Sequence, residues 1–446
     1  MPTKTFCPVL GVYGALWKLA RPILRRHKRL RAGFDARLVP DAWPEPDKAP
    51  NGFNLWIQAA SGGEAYLTWE ILKALAAGGA NIRVLCTSCT EQGLAILYKA
   101  KNALCAGNMN IAVNYLPLDE PALMRRAVNR VFPEGAGQKA ALVLLETEIW
   151  PGLLAACREH GVPALLLNGR MTEKSRKSYN FIRGALKSVA PACILASTAA
   201  DLERFKIIFS RAKDQSQGKP ARTKFGLMPN IKFDRLSTGD TAQRNPLETF
   251  FDKTAPCPLL VLGSVRQEEE PELLPVIKEI MGNAPDVCIV LAPRHLYRVE
   301  PWLKRLETAG MRISRRSSLR KFMPGTVAVW DVFGELEYLY GLAAAAFVGG
   351  SLAPLGGHNF LEPLAHGLIP CTGPFWSNFY WVGQEIFDAG LAIQVKSASK
   401  LAQALLELLK SPRPKSEVRQ MFSAYIASRT GGTGQAVQAI ANILTL

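Results

Sequence analysis

Ser61-Gly62-Gly63-Glu64 places a carboxylate directly behind an apolar run and at the start of an amphipathic stretch. A glutamate there serves either as a general base, deprotonating a hydroxyl brought against it, or simply as a complement to the helix dipole; the residues alone leave both open. The densest signal is Gly349-Gly350-Ser351, followed by Gly356-Gly357-His358-Asn359 and Leu361-Glu362-Pro363. Glycines behind a strand let backbone N–H groups approach a phosphate, and the next helix N-terminus favours the anion. Glu362 is placed to accept two hydrogen bonds from a ribose diol; the competing reading is a tight turn with a capping carboxylate. Pro293-Arg294-His295, with Arg298 one helical turn beyond Arg294, offers bidentate recognition of phosphate or carboxylate, or else a plain surface loop.

Other motifs fall short of a chemistry. Cys86-Thr-Ser-Cys89 is a single C-x-x-C without a second pair or a nearby His, so it does not make a zinc site. The chain has 5 His and no H-E-x-x-H, and no Asp-x-Asp pair to hold a metal on a diphosphate. Neither a Gly-Lys-Ser/Thr phosphate loop nor a Gly-x-Ser-x-Gly elbow occurs. Glu268-Glu269-Glu270 reads as the acidic first turn of a helix.

The elements that must position these residues are legible as apolar runs. Leu55 to Ala60, Ile82 to Cys86, Leu142 to Leu145, Ala164 to Leu167 and Cys193 to Ala196 read as buried strands, with helices such as Tyr66 to Ala76 and Gly152 to Glu159 between them. A second series comprises Leu259 to Leu262, Val287 to Leu291, Val327 to Trp330 and Ala345 to Val348. Strands apolar throughout and separated by helices predict parallel sheets covered on both faces. Polar or Gly-rich turns follow most of these runs, among them Glu146-Thr-Glu148, Asn168-Gly-Arg170 and Ser264-Val-Arg266. Ligands of open parallel sheets bind beyond the carboxyl ends of the strands, so these turns are the candidate site.

At 446 residues the chain exceeds one ordinary core of about 150 residues and predicts roughly two or three domains. The 48% hydrophobic and 20% charged content excludes disordered and fibrous classes. A net charge of +17 favours anionic partners, and 9 Cys are too sparse for a disulfide scaffold. Phe6 to Trp17 is an uncharged, largely apolar run of 12 residues, followed by Lys18, Arg21 and the cluster Arg25, Arg26, Lys28, Arg29 and Arg31. That run is shorter than the roughly 20 residues of a spanning helix, and its charges follow the apolar part instead of preceding it as in a signal peptide. The alternatives are an interfacial anchor on anionic lipid and an ordinary helix with a solvated basic face. Nucleic acid is not an expected partner, because the basic block lacks interleaved stacking aromatics. The predicted division is a basic amphipathic segment over 1–40, one Rossmann-like domain over 41–236, a linker over 237–246 and a second Rossmann-like domain over 247–446. The polar stretch Ser210 to Arg222 reads as a loop.

Taken in order, the blocks resemble the 3-deoxy-D-manno-octulosonic acid (Kdo) transferases of lipopolysaccharide synthesis. They are WIQAASGGE at 56–64, ETEIWPG at 146–152, NGRMTEKS at 168–175, GSVRQEEE at 263–270, APRH at 292–295 and FVGGSLAPLGGHNFLEP at 347–363, with Gly373-Pro374 and Asn378-Phe379 beyond. The resemblance implies a GT-B fold: two Rossmann-like doubly wound domains facing a central cleft, with a short N-terminal membrane-associated helix. It implies metal-independent, inverting transfer of Kdo from CMP-Kdo to a lipid A precursor, without a cofactor, at the cytoplasmic face of the bacterial inner membrane. Glu64 falls on the family's catalytic base. On the donor side it implies Ser264, Arg294, His295, Lys232, Gly349, Gly350, Gly356, Gly357, Asn359 and Glu362, the last holding the ribose. On the acceptor side it implies Ser61, Gly63, Glu146, Glu148 and Arg170.

The chain also departs from the family pattern. Ser61-Gly62-Gly63-Glu64 replaces Ser-Val-Gly-Glu, Arg266 stands where the family has His, Leu355 stands where Arg is common, and the Gly226 to Asp234 segment is longer. The alternatives are a GT-B enzyme using another nucleotide sugar or acceptor, and a basic membrane- or nucleic-acid-binding protein with a decayed sugar site.

Overall fold

The computed structural model describes residues 8–27, 31, 33–40, 53–104, 108–133, 139–210, 223–237, 245–251 and 257–445. Most of the predicted linker and of the polar loop before Lys224, together with Lys28 and Arg29, lies outside the described residues. The chain divides into two units, Met1–Arg235 with Arg429–Leu446, and Leu236–Ser428.

The first unit carries seven strands: β1 (Leu55–Ala59), β2 (Arg83–Ser88), β3 (Asn110–Tyr115), β4 (Ala141–Leu145), β5 (Ala164–Gly169), β6 (Cys193–Ala196) and β7 (Lys224–Leu227). Their order is β3-β2-β1-β4-β5-β6-β7, and every pairing is parallel. Alternation along a strand sends neighbours to opposite faces. Trp56 therefore enters one core with Leu142, Leu144 and Leu153, while Leu55 and Ile57 enter the other with Ile71, Leu97 and Val143. Helices α1 (Pro8–Arg26), α2 (Gly62–Ala77), α3 (Glu91–Leu104), α4 (Pro121–Val131) and α5 (Pro151–Glu159) are the first five in the chain.

The C-terminal boundary corrects the expected division at 247–446. The last helix, Gly432–Leu444, buries Ala436, Ile440 and Leu444 in the second core of the first unit. These positions, four apart, make one apolar stripe. The Asp234 carboxylate holds the start of this helix, accepting from the Gly431 and Thr433 N–H groups at 2.7 and 2.5 Å.

Helix α1 is fastened along one side. Tyr13 Oη donates to Asp119 at 2.8 Å, Arg21 pairs with Glu120, and Trp17 and Leu24 pack on Phe34, Leu118 and Leu123. Val9, Val12, Leu16, Leu19 and Ile23, spaced i, i+3, i+7, i+10 and i+14, stay 45%, 62%, 58%, 75% and 75% exposed. Among the described residues no helix is long and apolar enough to cross a membrane.

The second unit carries β8 (Leu259–Val265), β9 (Cys288–Pro293), β10 (Arg312–Arg315), β11 (Thr326–Val329), β12 (Ala345–Val348), β13 (Pro370–Thr372) and β14 (Ile393–Gln394). They form a second parallel sheet in the order β10-β11-β9-β8-β12-β13-β14. In the first sheet the strand order reverses between β1 and β4, and in the second between β8 and β12. Those reversals open a crevice at the strand carboxyl ends, where such sheets bind ligands.

Candidate active site

In the first unit, β1 and β4 deliver the candidate residues to the reversal. Ser61 caps α2 in a capping box: Glu64 Oε2 accepts from the Ser61 N–H at 2.6 Å and from its hydroxyl, while the Glu64 N–H points back to Ser61 Oγ at 3.5 Å. Glu64 is 6% exposed, and burial lifts its carboxyl above the ordinary value. The Glu146 charge adds to that rise, while the Ser61 hydrogen bonds and Lys232 oppose it. Gly63 has open space around it, since an added Cβ would meet nothing closer than Ser61 Oγ at 3.7 Å.

Glu146 and Asn168, at the carboxyl ends of β4 and β5, hold left-handed backbone with φ of 56° and 53°. Such strain collects at functional sites. Glu146 receives Lys232 Nζ at 2.5 Å and an Arg170 guanidinium nitrogen at 3.6 Å. Asn168 donates to Asn230 Oδ1 at 3.3 Å and accepts from the Ile231 N–H at 3.0 Å, which seats the segment bearing Lys232. Lys232, expected beside the donor phosphate, therefore lies on the first unit among the acceptor-side residues. Sequence order gave no indication of this pairing, because Glu146 and Lys232 are brought together only by the packing of β4, β5 and β7.

Glu148 is 7% exposed and accepts from Trp150 Nε1 and, at 3.4 Å, from Gln58 Nε2. Burial, with the nearby Glu64 charge, pushes its carboxyl up to about 8, so it carries a proton at neutral pH. Gln58 is fixed in turn by Thr87, which receives the Trp56 indole N–H at 2.7 Å. Cys86 and Cys89 are free thiols whose pKa burial raises to about 12, and the described residues contain no cluster suited to a metal.

The second unit corrects the expected phosphate cradle. The Gly350, Ser351 and Leu352 N–H groups are taken by the fully buried Glu269 carboxylate at 2.7, 2.9 and 2.9 Å. The Gly349 N–H goes to the Gly263 carbonyl at 2.8 Å. The glycines serve close packing instead. A Cβ on Gly349 would meet Ser264 O at 2.6 Å, one on Gly350 the His358 ring at 2.7 Å, and one on Gly356 the Asn378 amide at 2.5 Å; Gly357 has φ 77°. Glu269 is thus a turn-forming anion and not merely a complement to a helix dipole. Arg298 likewise leaves the candidate site, since it is paired with buried Glu270 at 2.6 Å.

What remains for an anion is a set of side chains. Arg294 is exposed beyond β9, His295 stacks on Tyr297 at 5.3 Å, and Ser264 closes β8 with φ 55°. His358 and Arg266, not among the residues expected to form the site, join them. Burial first, then the charges of Arg294, Arg266 and His295, push His358 down to about 4. His358 Nε2 and Arg266 Nε are buried without hydrogen-bond partners among the described residues. Asn359 donates to Glu362 at 2.9 Å and accepts from the Leu361 N–H at 3.2 Å, orienting an exposed carboxylate. The signal for Arg266 is its departure from a known block, and the signal for His358 is its place in the Gly356-Gly357-His358-Asn359 turn, where the glycines drew the reading instead.

Residues 27–235 match the family model described as 3-deoxy-D-manno-octulosonic-acid transferase (kdotransferase). The chain is 29% identical over 435 residues to the 3-deoxy-D-manno-octulosonic acid transferase of Bordetella pertussis, covering 96% of this chain and 92% of the relative. It is 26% identical over 408 residues to the Haemophilus influenzae enzyme of the same name, covering 91% and 88%. Among solved structures, the putative UDP-N-acetylglucosamine 2-epimerase of Listeria monocytogenes matches with TM-score 0.53 at 12% identity, covering 89% of this chain and 98% of that one. Anabaena HepE in complex with UDP matches with TM-score 0.54 at 12% identity, covering 88% and 99%. These last two are likenesses of fold, in keeping with the expected GT-B class.

Proposed function

The chain belongs to the 3-deoxy-D-manno-octulosonic acid transferase family, and on that premise we propose that it moves Kdo from CMP-Kdo to a lipid A precursor, with Glu64 as the general base. The observation that carries this reading is the Ser61–Glu64 cap at the β1–β4 reversal. One carboxylate oxygen is held by Ser61, while Oε1 has no hydrogen-bond partner among the described residues. Burial raises the proton affinity of this carboxylate, which suits a base that must take a hydroxyl proton near neutral pH.

The step is a direct displacement. The acceptor hydroxyl gives its proton to Glu64 as its oxygen bonds to the anomeric carbon of Kdo, the bond from that carbon to the phosphate oxygen breaks, and CMP leaves with the electron pair. Inversion follows from a single displacement. Lys232 and Arg170 offset the Glu146 charge, and protonated Glu148 adds none, so no second bare carboxylate stands beside Glu64. Arg294, Arg266 and neutral His358 on the second unit suit the leaving phosphate, and exposed Glu362 suits the ribose diol.

The exposed apolar stripe of α1, with Lys18, Arg25 and Arg26 on the same helix, suits shallow burial at an anionic membrane surface. An acceptor carried by a lipid would be met there, at the cytoplasmic face of the inner membrane.

The test is transfer from CMP-Kdo to a tetraacylated lipid A precursor with EDTA present, wild type beside Glu64→Ala. Product from wild type alone supports donor, acceptor, metal independence and the base together. Near-wild-type turnover by Glu64→Ala removes the base assignment.

A further inference from the structure

We propose that Asp119 is a positioning residue for the acceptor side of the site, and that helix α1 sets it through the Tyr13 hydroxyl. This inference rests on reading the Glu146 to Trp150 turn as the acceptor side. Asp119 is fully buried and has no part in the transfer step. Its work is done at the start of α5.

Helix α5 does not secure its own start. Its first residue, Pro151, has no N–H, and the Trp150 side chain makes no cap. The first bond within the helix runs from the Leu154 N–H to the Trp150 carbonyl at 2.9 Å. That leaves the Gly152 and Leu153 N–H groups unanswered by the helix itself. Asp119 takes both: Oδ2 accepts from Gly152 at 2.9 Å and Oδ1 from Leu153 at 2.8 Å. The fit is close, since a Cβ on Gly152 would meet the Asp119 carbonyl at 2.5 Å. Asp119 thus fixes where α5 begins, and with it the turn that joins β4 to α5. That turn carries Glu146 and Glu148, and the Trp150 indole donates to Glu148.

Helix α1 reaches the same carboxylate. Tyr13 Oη donates to Asp119 Oδ2 at 2.8 Å, so one oxygen joins α1 to α5. Asp119 and Glu120 are consecutive buried carboxylates with different duties. Glu120, 3% exposed, takes the cations of α1, Arg21 and Lys18. Among the described residues Asp119 is held by neutral donors, and burial lifts its carboxyl to about 7 while those three hydrogen bonds oppose the rise. Loss of one donor raises its proton affinity further, and a protonated Asp119 serves the α5 amides less well. The Tyr13 hydroxyl therefore keeps the carboxylate ionised, and the carboxylate keeps the turn in place. Glu64 stands outside this chain of contacts, because Ser61 at the start of α2 holds it. The effect falls on acceptor binding and not on the base.

The experiment compares the full chain as wild type, Tyr13→Phe and Leu24→Ala, with CMP-Kdo and a detergent-dispersed lipid A precursor, so that membrane contact plays no part. Tyr13→Phe keeps the ring and its edge-to-face contact with Trp17. It is expected to raise the acceptor KM about tenfold, with donor KM unchanged and kcat within about twofold. Leu24→Ala loosens α1 against Phe34, Leu118 and Leu123 without touching Asp119, and is expected to keep the wild-type acceptor KM. Amide hydrogen exchange over 146–154 needs no substrate and should be at least about threefold faster in Tyr13→Phe. An unchanged acceptor KM in Tyr13→Phe overturns the inference. An equal rise in Leu24→Ala does so too, because it places the effect on α1 packing in general. Unchanged exchange over 146–154 overturns the link whatever the turnover. No transfer by wild type overturns the reading of donor and acceptor alone, and exchange then decides whether Asp119 ties α1 to the turn.

Discussion

Glu269 and Gly350 are 81 residues apart in sequence, yet the Gly350 N–H lies 2.7 Å from Glu269 Oε2. The same oxygen accepts from the Arg266 N–H at 2.9 Å, and Oε1 accepts from Ser351 and Leu352. One carboxylate therefore ties the turn after β8 to the turn after β12 across the strand-order reversal, with each oxygen taking two backbone donors. Glu269→Ala leaves three buried N–H groups and one part-buried one without this acceptor and is expected to cost the second unit at least about 3 kcal/mol. Glu269→Gln is isosteric but turns an NH₂ toward two donors in either orientation, so it is expected to be nearly as damaging. Urea unfolding followed by calorimetry reads both; a second-unit transition unmoved in Glu269→Gln contradicts the account.

Glu64→Gln retains an oxygen for the Ser61 cap and loses the ability to accept a proton. Transfer is expected to fall by about 10² to 10⁴, with stability changed by no more than about 1 kcal/mol. Because burial holds the Glu64 carboxyl above its ordinary 4.5, the acidic limb of the wild-type kcat/KM profile should lie above that value, with rate rising as pH rises. An acidic limb at the ordinary glutamate value would show that another group limits the reaction.

Glu148 gives a stability prediction with a definite sign. Its pKa rises from 4.5 to about 8 on folding, so the folded protein holds this proton more tightly than the unfolded chain. The resulting stability is fully present below pH 4.5 and is lost as pH rises through about 8. Asp119, raised from 3.8 to about 7, acts in the same direction, so the comparison must be with Glu148→Gln, in which only the Glu148 contribution disappears. Melting temperatures from acid to alkaline pH should show the variant gaining on wild type as pH rises. Parallel curves would mean that Glu148 does not titrate in this range.

Leu19→Glu combined with Ile23→Glu places two charges on the exposed stripe of α1 without touching the Tyr13, Trp17 and Leu24 side that packs on the first unit. Binding to vesicles containing phosphatidylglycerol is expected to drop at least tenfold, because apolar burial is worth about 25 cal/mol per Å² and the charges oppose it. The melting temperature should stay within about a degree, since both side chains are 75% exposed. Unchanged vesicle cosedimentation would remove α1 as the membrane contact.

The chain's own residues determine much of this protein. All nine apolar runs read as strands are strands, and the sheets are parallel as their uniform burial requires. The strands that were not legible are β3, β7, β10 and β14, the edges of the two sheets, and the three-residue β13. An edge strand has one neighbour and a wetter face, so RISR at 312–315 or KFGL at 224–227 carries no continuous apolar run to mark it. The placement of Ser61, Glu64, Glu146, Glu148 and Arg294 just beyond strand carboxyl ends is legible too, because parallel sheets gather the turns there. Tertiary structure alone decided the partners of the charges. Lys232 reaches Glu146, Glu269 occupies the Gly-rich turn, Arg298 serves Glu270, and the last helix returns to the first unit. A side chain's type fixes what it can bond, but which of many donors or acceptors it meets depends on long-range packing that leaves no local pattern in the chain.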